Sequence, residues 1–169
     1  MGVDIHMFVV KENKELADIG DKVLDGMRNY EWFDELSGRG ERPEYDILDS
    51  LMNYGIPKEA TDEIKEYDNE MGYYGFRYIN VGKLIGWYNE CKPYVMFGYI
   101  PTIMYHNLVE KNITPNSDDI IYDPENEDIN SGKVVFARIP TNDPFDEIID
   151  YIRKENIPSD ATLVLFFDH

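Results

Sequence analysis

Asp4 and His6 stand two positions apart in Val3-Asp4-Ile5-His6-Met7. Apolar and polar residues alternate there with the period of a β-strand, so both polar side chains project from one face. Several metallohydrolases present a carboxylate and an imidazole in parallel in this way. Asp168 and His169 leave the end of a second apolar run, Ala161 to Phe167. If the first and last strands are neighbours, Asp4, His6 and Asp168, with His169 beside them, converge. That donor set suits a divalent transition metal such as zinc, manganese or iron. The competing reading is a solvated or hydrogen-bonded strand face, because a single Asp-x-His pair is common.

A second candidate set lies in the loop from Asn112 to Gly132. Its carboxylates include Asp118, Asp119, Asp123, Glu125, Glu127 and Asp128, and the stretch from Asp123 to Asp128 invites a calcium reading. It fails as an EF-hand: Asp128 stands where glycine is needed and Val134 where a bidentate Glu belongs. The acids fit a solvated face or a surface for a basic partner. Tyrosines, 13 in all, concentrate between Tyr67 and Tyr105. Such residues are enriched at protein interfaces, and Tyr73 and Tyr74 join the six acids as candidate partner-binding residues. Arg28, ahead of Asn29 and Tyr30, is a candidate anion clamp or an ordinary ion-pair partner. The chain has no Walker, dinucleotide-binding or nucleophile-elbow motif. Cys91, the one cysteine, cannot form an internal disulfide and fits a reducing compartment.

Charge narrows the function classes. The chain has 169 residues, 34 acidic and 16 basic, a net charge of -18. The excess is uneven: net -7 over residues 1–50 and -8 over residues 101–150, against -2 between them. A polyanion repels phosphates and releases no counterions from them, so direct nucleic-acid binding and an anionic membrane surface are not expected. No apolar run approaches the ~18 residues of a membrane span, and the N-terminus lacks the features of a signal peptide. The expected location is a cytoplasm. With 43% apolar residues, the chain has the material for a core.

The elements that position these groups follow from periodicity. Residues 3 to 10 form a strand, with a weak hairpin strand near Leu16 to Ile19. Asn29 to Leu36 reads as a short helix, and Ser37 to Tyr54 as an ordered loop. Thr61 caps a polar helix to Glu70. Met71 to Ile79 is glycine-punctuated and aromatic, and Asn80 caps a helix carrying Val81, Leu84, Ile85 and Tyr88 at helical spacing. Tyr94 to Ile100 is a strand or the start of the helix that runs from Pro101 to about Lys111. Lys133 to Arg138, a helix from Asp143 with Phe145, Ile148, Ile149 and Ile152 on one face, and Ala161 to Phe167 make a strand–helix–strand tail. If its strands are parallel, the tail is a right-handed βαβ unit. The fold class is α/β or α+β, a single domain over 1–169 with helices packed on a mixed sheet.

The opening Gly2-Val3-Asp4-Ile5-His6 resembles a family of uncharacterised phage and prophage proteins that begin Gly-x-Asp-Ile-His. Arg28-Asn29-Tyr30, Gly55-Ile56-Pro57, the helix from Asn80 and the ending Phe167-Asp168 have counterparts there in the same order. Where that family carries an Asp-x-His-Ser element, this chain has Gly72-Tyr73-Tyr74-Gly75-Phe76. The resemblance implies a viral or mobile-element origin and action in the host cytoplasm. A compact, highly acidic, tyrosine-rich domain without a complete catalytic constellation fits a phage-encoded accessory protein that binds and inhibits a basic host protein. A nucleic-acid-handling defence enzyme fits, in the manner of an anti-CRISPR or anti-restriction factor. The alternative is a metal-dependent hydrolase or nucleotide-processing enzyme built on Asp4, His6 and Asp168.

Overall fold

The computed structural model describes residues 4–23, 36–37, 43–91, 95–115, 119–140 and 144–168. The expected helix from Asn29, and with it Arg28, lies outside them. The fold is α+β, and the chain is organised as two compact units, one of Met1–Cys91 with Pro144–His169 and the other of Lys92–Asp143.

The larger unit is built on five antiparallel strands. Strand β1 (Asp4–Lys11) turns into β2 (Lys14–Asp18) through Glu12 and Asn13, both at positive φ, as a two-residue hairpin of matching twist requires. A four-residue helix, α1 (Ile19–Lys22), follows. Helix α2 (Pro43–Leu51) stands where a loop was expected. Proline at its first position, Glu44 and Asp46 in its first turn, and Tyr45 and Leu48 three apart on its buried side all favour it. The two-residue β3 (Asn53–Tyr54) leads to α3 (Asp62–Tyr67), capped by Thr61, whose hydroxyl accepts from the Ile64 N–H at 3.3 Å. The aromatic stretch becomes β4 (Tyr74–Asn80). Asn80 then caps α4 (Val81–Cys91) by accepting from the Lys83 N–H.

The sheet order is β2-β1-β7-β4-β3, with β7 (Thr162–Asp168) in the centre. The unbroken apolar run of β7 fits that place, because both of its faces are covered. Val164 and Phe166 pack with Phe8, Val10, Ala60, Ile64 and Phe76 on one side. Leu163, Leu165 and Phe167 alternate onto the other, equally buried face with Met7 and Val9. Helices α2, α4 and α7 (Pro144–Lys154) meet through the rings of Tyr45, Trp87 and Phe145, with centroids 5.3–6.1 Å apart.

The smaller unit is an antiparallel ribbon of β5 (Val95–Pro101) and β6 (Val134–Pro140), with α5 (Thr102–Lys111) and α6 (Asn126–Asn130). Its core is Ile100, Ile120, Ala137 and Ile139. The strand–helix–strand tail forms as β6, α7 and β7, but it is not a parallel βαβ unit. β6 pairs with β5 in its own sheet, whereas β7 pairs antiparallel with β1 and β4.

Candidate functional site

The β1–β7 register sets Asp4 opposite Asp168 and His6 opposite Phe166. The first and last strands are therefore neighbours, and His6 meets Asp168, with Nε2 3.1 Å from Oδ2. The pair makes no hydrogen bond, and among the described residues Nε2 is buried without a hydrogen-bond partner. The contact is polar, with 30% of the His6 and 25% of the Asp168 side chain exposed.

Rings surround the imidazole. It stacks on Phe166 at 4.9 Å and 14°, and lies 5.8 Å from Tyr73 and 6.3 Å from Tyr67. Tyr67, from α3, touches Tyr73 at 4.7 Å and donates to Glu63 at 3.3 Å. Burial pushes the Tyr67 phenol above its ordinary value, with Glu63 adding to the effect. Burial, then Asp168 and Glu70, raise that of Tyr73. Both hydroxyls therefore stay protonated at neutral pH.

Of the expected metal set, His6 and Asp168 come together and Asp4 lies across the ladder from Asp168, while His169 lies outside the described residues. Among the described residues, no group of three or more His, Cys, Asp or Glu side chains is placed to hold a metal ion. The stacked ring around His6 comes from Tyr67, Tyr73 and Phe166, and its only sequence signal was the aromatic density before β4.

A second polar centre was not read from sequence. Buried Arg77 bonds the carbonyl oxygens of Leu36 and Ser37 and Asp49 Oδ1 at 2.8 Å. The Tyr54 hydroxyl donates to the same carboxylate at 3.0 Å, and its ring lies 5.1 Å from the guanidinium. These bonds tie the 36–37 segment, α2, β3 and β4 together.

The expected partner-binding residues divide. Tyr73 belongs to the ring around His6. Its neighbour Tyr74 packs on Phe167, whose side chain lies on the opposite face of the sheet from that of Phe166. Asp118 lies outside the described residues. Asp119 and Asp128 are half-buried, and Asp128 pairs with Lys133 at 3.2 Å. Asp123, Glu125 and Glu127 are exposed and, among the described residues, pair with no cation. In the same unit the ribbon turns Phe97 and Phe136 outward, 60% and 62% exposed and stacked at 6.5 Å. Tyr99 meets Phe136 edge-on at 5.2 Å, and Arg138 lies opposite Phe97.

Among the described residues, no helix is long and apolar enough to cross a membrane. Compared with family models, curated proteins and solved structures, the chain has no significant match to any of them.

Proposed function

We propose that this protein is a non-enzymatic, acidic accessory protein that binds and inhibits a basic host protein. Carboxylates spread over a surface can occupy a basic DNA- or RNA-binding groove, which points to a nucleic-acid-handling defence effector as that host protein. One observation carries the reading: the smaller unit exposes stacked aromatic rings and also carries exposed carboxylates that, among the described residues, pair with no cation. Exposed aromatic side chains are enriched at protein interfaces, and exposed carboxylates attract a basic groove over several ångströms. Capture from bacterial lysate at low salt should recover a basic protein. That protein is released near 1 M salt, where the Debye length falls to about 3 Å. The triple variant Asp123→Asn/Glu125→Gln/Glu127→Gln should lose it, and the captured protein's activity should fall when the wild type is added. Recovery of nothing at low salt refutes the proposal.

The His6–Asp168 contact supports a second reading, a metal-dependent hydrolase. Stoichiometric zinc, manganese or iron in protein purified without chelators, lost in His6→Ala, would favour it.

A further inference from the structure

The two ends of the ladders treat their edges differently. In the larger sheet, edge strand β2 is short, carries exposed Lys14 and Glu15, and joins β1 through a register shift. At the other edge β3 has only two residues. These are the usual protections against unwanted pairing. In the smaller unit, β6 runs Val-Val-Phe-Ala-Arg-Ile-Pro over seven residues, and its register with β5 has no shift.

The backbone hydrogen bonds of β5 fix which backbone groups of β6 face outward. Tyr99 gives its N–H to Ile121 O at 3.3 Å and accepts from the Ile121 N–H at 2.8 Å, so its backbone groups point away from β6. Opposite residues of an antiparallel pair alternate between exchanging both bonds and exchanging none. Tyr99 and Phe136 are therefore a pair that exchanges none, and the Phe136 N–H and C=O point away from β5. The bond from the Thr102 N–H to Lys133 O, at 2.9 Å, sets the same alternation. Arg138, two residues on, also faces out. Among the described residues, no hydrogen bond reaches the outward groups of Phe136 or Arg138.

We propose that this open edge of β6 receives an extended, basic peptide segment of the partner, which adds to the ribbon as a new strand. The inference rests on the binding role above and gives it a mode. Main-chain bonds at Phe136 and Arg138 hold the segment, and alternate apolar side chains cover the Phe97–Phe136 face. Charge selects the occupant. A second copy brings another -18 and is repelled. A strand bearing Lys or Arg is drawn to a chain of net charge -18, whose smaller unit carries Glu125 and Glu127 exposed and, among the described residues, without a cation partner.

The test uses the whole protein and a capped alternating Val-Lys peptide of about eight residues, slightly longer than an ordinary strand. A matched peptide is N-methylated at alternate amides. The unmethylated peptide should bind at low salt and slow amide exchange at Phe136 and Arg138. The methylated one should bind about tenfold more weakly, as expected for losing one or two net hydrogen bonds. Arg138→Pro, a substitution an edge strand tolerates, should abolish that protection, while Arg138→Gln keeps it. Equal affinity for the two peptides overturns strand addition and leaves the basic-partner role standing. Failure of both peptides overturns strand addition, and the triple acidic variant in lysate capture then decides the role separately. Dimerisation that protects the same amides without peptide overturns the choice of occupant. If Arg138→Pro unfolds, the peptide pair still decides.

Discussion

Replacing His6 separates a ring that packs from a ring that does chemistry. In His6→Ala the stack on Phe166 at 4.9 Å and the contact with Tyr73 at 5.8 Å disappear. Aromatic pairs contribute about 0.5–1.5 kcal/mol each, so these two give about 1–3 kcal/mol. The Asp168 contact is partly exposed and lacks hydrogen-bond geometry, which limits it to about 1 kcal/mol or less. His6→Phe keeps the rings and drops only that contact, so it should stay within about 1 kcal/mol of the wild type. Urea unfolding followed by tryptophan fluorescence, with the slope checked for constancy, measures both variants. The reasoning is refuted if His6→Phe is as damaging as His6→Ala. In that case the nitrogen rather than the ring matters, and the hydrolase reading gains.

Three other outcomes are expected. Asp49→Ala strands a buried guanidinium and should cost about 2–4 kcal/mol, below the full value for a buried pair because Asp49 is partly exposed; Asp49→Leu/Arg77→Met should recover part of it in urea titration. Gly98→Ala sets its Cβ 2.4 Å from Ile120 Cγ2, so about 1–3 kcal/mol should be lost, and Ile120→Ala in the same chain should relieve part of that loss in thermal melts. Tyr67 and Tyr73 titrate above their ordinary value in the folded state, so the folded protein holds those protons more tightly than the unfolded chain. Their contribution is complete below about pH 10 and falls as pH rises through the folded values, which makes Tyr67→Phe less alkali-sensitive in urea midpoints.

Where one face of an element decides its burial, sequence was legible. The alternation of β1, the apolar run of β7, the Thr61 and Asn80 caps and the isoleucine face of α7 each produced the element expected. α2 had its signals too, but one turn of proline and acids inside a glycine-rich stretch is weak evidence for nine residues. The partner of β6 was not legible, because a short apolar strand after a loop pairs equally well with either flank. The meeting of His6 with Asp168 followed from one topological condition, that the outer strands of the chain be neighbours. The rings enclosing His6 come from α3 and from the start of β4, and no local pattern announces a contact between segments so far apart in the chain.

The central place of β7 also sets a timetable for synthesis. β1 ends at Lys11 and its inner neighbour ends at Asp168, so at about 5–20 residues per second the first strand waits about 8–30 s for its pair. During that interval Met7, Phe8, Val9 and Val10 are without the surface that buries them, and β4 waits beside the same gap. Slower growth at low temperature lengthens the wait but also weakens apolar association, whereas a holdase chaperone shields the strands directly. A chain stopped before Thr162 leaves two apolar strands with nothing to join them.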